Sequence, residues 1–108
     1  IPEYKNAQTE LDNVSGEWEK EISLKYNEIN LLDKAFEAEK SFLSEEMIKS
    51  RKSEMNAKFK EVRELQNQKF GINGELFKKR KELIKPLENK ICTAIFTIKI
   101  LNLLYNIN

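Results

Sequence analysis

Apolar residues recur along the first part of the chain in steps of three and four. Tyr4, Ala7, Leu11, Val14 and Trp18 alternate three, four, three, four, the spacing of one helix face in a heptad seam. Ile22, Tyr26, Ile29, Leu32 and Phe36 continue it. The two successive four-residue steps after Trp18 form a stutter, which locally unwinds a coiled coil. Gly16 stands just before it and weakens a helix by about 1 kcal/mol relative to Ala. The pattern predicts one helix from Pro2 to about Lys40, a rod of roughly 50 Å, with a bend or soft point near residues 15–18. Pro2 suits a first helical turn, where its missing N–H costs nothing, and Glu3 favours the positive end of the helix dipole.

A reversal is expected at Ser41-Phe42-Leu43-Ser44. Ser44 is a good N-cap, and Glu45 and Glu46 follow it in the first turn, where acid is favoured. A turn so short makes the two arms antiparallel neighbours. Leu43, just before the cap, can staple onto Ile48 or stand exposed with Phe42 at the tip. The returning arm carries Ile48, Met55, Phe59, Val62, Leu65 and Phe70, with Met47 beside the seam. A turn centred on residues 42–43 places Phe36 opposite Ile48, Ile29 opposite Met55, Ile22 opposite Val62, and Gly16 opposite Phe70.

The segment Phe70–Pro86 interrupts this regularity. Gly71 and Gly74 break or sharply bend the helix, and a new one is expected to start near Gly74 or Glu75. Leu76, Leu83, Leu87 and Ile91 make its apolar stripe, with Phe77, Ile84 and Ile95 beside it. Pro86 within that stripe is expected to kink the helix, because it frees the carbonyl of Glu82. Beyond Ile91 acids vanish. Phe96, Ile98 and Ile100 alternate with polar residues as in a strand, while Ile91, Ala94, Ile95, Ile98, Leu101 and Tyr105 fit a helix equally well. Either way the tail, Phe96–Asn108, exposes enough apolar surface to need a partner or to invite aggregation.

Composition agrees with long helices and little else. In 108 residues, three glycines and two prolines leave few places to turn, and 34% of the side chains are charged. The charge is unevenly spread. Residues 1–41 hold five basic and ten acidic side chains, residues 42–70 seven and five, and residues 71–108 seven and three. An acidic outgoing arm and a basic returning arm attract each other. The run Lys78-Lys79-Arg80-Lys81 covers a whole helical turn and so presents no flat basic face. With a pI near 8.0 overall, nucleic acid is not an expected partner.

Catalytic chemistry has no foothold in the sequence. There is no histidine, the single Cys92 has no base or second thiol to work with, and Gly71–Gly74 lacks the spacing of a phosphate loop. No enzyme activity, cofactor or metal is expected. The chain starts at Ile1 without a basic-then-apolar leader, so any targeting signal is expected to have been removed or never included. Ile91–Asn108 is apolar enough to consider as a membrane span, but Lys99, Asn102, Asn106 and Asn108 argue against a stable one. The fold class expected is all-α: a long helical hairpin over 1–70 that turns near 41–44, a helix over 71–95, and a divergent apolar tail over 96–108.

Several stretches are together similar to a known family. Ile1-Pro2-Glu3-Tyr4-Lys5-Asn6-Ala7-Gln8, Phe70-Gly71, Leu76-Phe77-Lys78-Lys79-Arg80 and Leu83-Ile84-Lys85-Pro86 resemble the Skp/OmpH periplasmic chaperones, most closely the Bacteroidetes type, over about residues 1–95. The resemblance implies a homotrimer shaped like a jellyfish. A β-rich body joins the subunits, and helical tentacles enclose unfolded outer-membrane proteins in the periplasm, with no cofactor or ATP. On that view Pro2–Phe70 is the tentacle, and Gly16, Gly71, Gly74 and Pro86 mark its joint with the body. Members carry a first strand before the equivalent of Ile1 and closing strands after that of Ile95. Those body strands are largely missing here, and Phe96–Asn108 reads as a replaced end.

Two functions compatible with the residues follow. One is a holdase that touches apolar client segments weakly and at many points; Tyr26, Phe36, Phe42, Leu43, Met47 and Met55 are the candidate contacts, most of them readable simply as seam. The other is a coiled-coil scaffold that binds folded partners. A non-functional fragment of the chaperone is the third possibility. Periodicity alone does not choose among them.

Overall fold

The computed structural model describes residues 2–105; Ile1 and the tail residues 106–108 lie outside them. Three α-helices account for nearly all of the described chain, joined by two tight turns. Helix α1 spans Pro2–Glu39, a short 3₁₀ turn spans Lys40–Phe42, α2 spans Glu45–Phe70 and α3 spans Glu75–Tyr105. The described residues contain no strand. The molecule is a rod of 87 × 20 × 17 Å.

The long helix organises the rest. Its 38 residues make about 57 Å of rod, whereas the 26 residues of α2 make only about 39 Å. α2 returns antiparallel along the distal part of α1, from Arg51 beside Glu39 to Phe70 beside Trp18. α3 then continues in the same direction and covers the first turns of α1. Lys79 reaches Glu10 (3.4 Å) and Lys90 reaches Glu3 (3.9 Å), so these two helices are also antiparallel. α2 and α3 thus lie end to end along one splint. The acidic start of α1 meets the basic start of α3, although pairs this exposed contribute little stability.

Burial is confined to a thin seam. Among the described residues the buried side chains are Ala7, Leu11, Ile22, Ile29, Phe36, Val62 and Leu87. Ile22, Ile29 and Val62 form one cluster, flanked by Tyr26, Phe59, Leu65 and Phe70. The register is shifted from the one counted about residues 42–43: Trp18, not Gly16, meets Phe70, and Phe36 lies beside Arg51 and Met55 instead of Ile48, because the 3₁₀ segment Lys40–Phe42 carries the centre of the turn towards Ser44. The buried residues of α1 repeat every seven from Ile22 to Phe36, which keeps them facing α2 along its length.

α1 runs without interruption through Gly16, where a helix costs about 1 kcal/mol but the packing on either side holds it. Pro86 likewise does not interrupt α3. It lies exposed while its neighbour Leu87 is buried, so the freed carbonyl of Glu82 sits on the outer side of a helix held by its inner side. Finally, Phe96–Ile100 is helical to the end of α3, not extended. Its period-two alternation gives way to the helix already propagating from Glu75, since adding a residue to a formed helix is easier than nucleating a new element.

The turn between α2 and α3 is fixed by close backbone approach. A Cβ on Gly71 would lie 2.3 Å from the carbonyl oxygen of Asn67, and one on Gly74 would lie 2.8 Å from that of Gln68. Both contacts are closer than a carbon can tolerate. Asn73 carries the positive φ of the turn, 61°, a conformation that asparagine adopts more readily than most residues. The Gly71 N–H donates to the Asn67 carbonyl (2.8 Å), closing α2. At the opposite end of α2 the Ser44 hydroxyl caps the helix by accepting from the Met47 N–H (3.2 Å).

Candidate functional site

A rod with so thin a seam has almost all of its side chains at the surface, so its chemistry is that of a surface. The grooves are shallow. One of about 430 Å³ is bounded by Phe77, Arg80, Lys81, Ile84, Lys85 and Glu88, all from one helix, and so is a furrow between side chains and not an enclosed pocket. A second, of about 420 Å³, runs between α1 and α2 beside Ile22, Tyr26, Gln66 and Phe70. Among the described residues no cluster of His, Cys, Asp and Glu is arranged to hold a metal ion.

The six candidate contact residues separate into interior, edge and tip. Phe36 is 2% exposed and is enclosed by the hairpin; it is part of the seam and offers no surface. Tyr26 is half-buried, tilted against Phe59 with 6.3 Å between ring centroids, and its hydroxyl donates to the Gln66 side-chain oxygen (3.1 Å). Met55 is half-buried beside Leu32, Phe36, Arg51 and Glu54, where a small groove opens. Leu43 is half-buried at the turn. Phe42 is 88% exposed and Met47 52% exposed. Phe42, Leu43 and Met47 therefore come together at the tip, while Tyr26, Phe36 and Met55 lie along the shaft.

The joint residues fall at the other end of α2. Trp18 stacks edge-on against Phe70, the centroids 6.1 Å apart, and the Lys69 ammonium sits 4.7 Å above the Trp18 ring. Lys69 also pairs with Glu75 at 2.7 Å, tying the last turn of α2 to the first turn of α3. Gly71 and Gly74 lie between these contacts. Gly16 is one helical half-turn from Trp18, with open space where its Cβ would be. Pro86 lies further along α3, opposite the first turns of α1.

Sequence reasoning passed over several exposed apolar groups. Ile72, in the glycine turn, is 98% exposed. Leu24 and Leu31, at 63% and 66%, stand on α1 away from the seam. Their signal was a seven-residue spacing of their own, which the stronger seam pattern obscured. Beyond Lys90, α3 projects past the start of α1 for about 22 Å with every described residue exposed. Thr93 and Thr97 turn their hydroxyls back to the carbonyls of Asn89 and Thr93 (2.9 Å each), so these two threonines present methyl groups, while Lys99 and Asn102 keep the segment partly polar. Even so, no helix among the described residues is long and apolar enough to cross a membrane.

Among the described residues the grooves are open furrows, and Phe42 and Met47 stand uncovered at the tip of an elongated helical hairpin. Residues 1–99 match the model of the family described as outer membrane protein (OmpH-like), and the chain belongs to that family. The match reaches slightly beyond the stretch carrying the resemblance and leaves residues 100–108 outside it. No curated protein matches the chain. The family is one of periplasmic chaperones of outer membrane proteins.

Proposed function

We propose that this chain is the arm of a holdase that keeps outer-membrane proteins unfolded and soluble in the periplasm. Family membership sets the class, and one structural observation carries the particular reading. The hairpin holds itself together with a seam one side chain wide and leaves Phe42 and Met47 uncovered at its end. A hairpin that existed only to hold a folded partner would gather its apolar groups into one complementary patch. Here they are dispersed along the rod, as suits many weak contacts that an unfolded segment can make and release without a fixed pose.

On this reading residues 1–70 form the tentacle and 71–95 the helix that returns to a body. Phe42, Leu43 and Met47 make the contact at the tip, with Tyr26 and Met55 along the shaft. Several arms held in a homotrimer by body strands would surround one client, and the effective concentration within that enclosure would multiply weak individual affinities. No cofactor or nucleotide takes part.

The test is aggregation of an outer-membrane β-barrel protein diluted from urea, followed by light scattering with and without this protein in its native assembly. Suppressed scattering, together with no binding to the same barrel once folded, is the expected result. Stoichiometric binding of a folded partner with no effect on scattering would favour the scaffold instead.

A further inference from the structure

Helix α1 has a second apolar line that its own hairpin does not use. Successive residues turn by about 100° round a helix, so Leu24 and Leu31 lie roughly opposite Ile22 and Ile29, which face α2. Ala35 and Ala38 continue the line, and it ends at Phe42 on the tip. All five residues are exposed. Single exposed leucines need no explanation, but a row on one face does. The corresponding outer face of α2 provides the contrast, because Glu46, Ser53, Lys60 and Glu64 make it polar apart from Ala57. The first half of α1 is polar on that face too, with Asn6, Asn13 and Lys20. The line is therefore confined to the distal, outward side of one helix.

We infer that this line is the track on which an extended, alternately apolar segment of an unfolded chain lies. The inference rests on the holdase reading above and adds the face and the form of the bound segment. Size argues against a folded occupant or a second copy. A stable interface needs about 20–30 residues a side, and five narrow side chains fall far short. Length argues for a strand. Leu24 to Phe42 spans about 27 Å of helix. A membrane-spanning β-strand of about 9–11 residues, at about 3.4 Å each, is roughly 30–37 Å long. Its apolar side chains recur about every 6.8 Å, close to the roughly 6 Å from Leu31 to Ala35 and from Ala38 to Phe42, while the seven residues from Leu24 to Leu31, about 10.5 Å, leave a gap in the line at Asn27 and Glu28. One such strand can therefore cover the line end to end while its polar side stays in water.

The experiment places an environment-sensitive fluorophore at Leu31→Cys, and separately at Ser53→Cys on the polar face of α2, both in a Cys92→Ser background. The probe client is an outer-membrane β-barrel protein diluted from urea. A blue shift at position 31 and none at 53 is expected. The unlabelled variant Leu24→Ser/Leu31→Ser is expected to weaken client binding at least tenfold, while Ile72→Ser, which removes an equally exposed apolar group elsewhere, leaves it within twofold. Far-ultraviolet dichroism establishes that each variant keeps its helices. Client binding unchanged in the double variant, or equal shifts at both labels, overturns the track while leaving the holdase reading intact. No client binding by the parent protein overturns both. A change of oligomeric state in the double variant, measured by light scattering, overturns the track in favour of self-association.

Discussion

Trp18 and Phe70 meet edge to face, 6.1 Å between centroids and 83° between planes, at the point where α1 passes from one partner helix to the next. Both are half-buried, and Lys69 closes over the indole. Edge-to-face pairs contribute about 0.5–1.5 kcal/mol beyond the area they cover. A double-mutant cycle with Trp18→Leu and Phe70→Leu, followed by urea unfolding, is expected to give a coupling energy in that range. Additive losses would mean that the two rings are only neighbours.

Phe36 and Phe42 are six residues apart and opposite in exposure, 2% against 88%. Phe36→Ala opens a cavity at the most buried position of the seam and is expected to cost about 3–5 kcal/mol. A hairpin with so little core is then expected to lose its distal half, seen as reduced helicity at 25 °C. Phe42→Ala touches no packed surface and is expected to change stability by less than about 0.5 kcal/mol. On the proposed function it weakens client holding instead. The two substitutions thus separate folding from contact.

The glycines respond with opposite signs. Gly16 lies within α1 with nothing near its missing Cβ, so Gly16→Ala is expected to stabilise by about 0.5–1 kcal/mol. Gly71→Ala pushes a methyl group against the Asn67 carbonyl and displaces the hydrogen bond that closes α2. It is expected to destabilise by at least about 1 kcal/mol, as substitutions at incompatible backbone positions do. Thermal melting of the two variants side by side tests the contrast.

Ser44 is the single side-chain cap at the turn. Ser44→Ala leaves the Met47 N–H without that acceptor and is expected to cost about 1 kcal/mol, whereas Ser44→Asp retains the cap and most of the stability. Hydrogen exchange at Met47 reads the effect locally, where global melting dilutes it.

Much of the architecture was legible because its signals are local and repeated. The heptad spacing from Ile22 to Phe36 finds the seam, and Ser44 with its two glutamates finds the start of α2. Counting from the turn brings Ile22, Ile29 and Val62 into one cluster but misses the register, since Trp18 and not Gly16 meets Phe70 and Glu39 pairs with Arg51. The docking of α3 on α1 was harder, because it is a question of unequal lengths. α2 is too short to cover α1, so Ala7 and Leu11 need another partner, and the basic start of α3 supplies it. Pro86 is carried within α3, and its cost depends on which side of the helix it faces, which sequence does not give until the packing partner is known. Among the candidate contacts, periodicity could not separate Phe36 from Phe42. Both are aromatic and near the turn, and only the trajectory of the 3₁₀ segment turns one inward and the other out.

The splint arrangement also sets an order of assembly. Contacts near the tip join residues close in sequence, as with Glu39 and Arg51, whereas Trp18 and Phe70 are far apart and Glu3 and Lys90 further still. Loop-closure entropy grows with that separation, so the nearest pairs form first. The hairpin zips from Phe42 towards Gly71, each turn of helix shortening the loop that the next pair must close. α3 docks only after the zipper has reached Trp18 and brought the acidic end of α1 within reach. An arm built in this way fails from its open end, so unfolding begins where α3 leaves α1 and the tip is the last part to be lost.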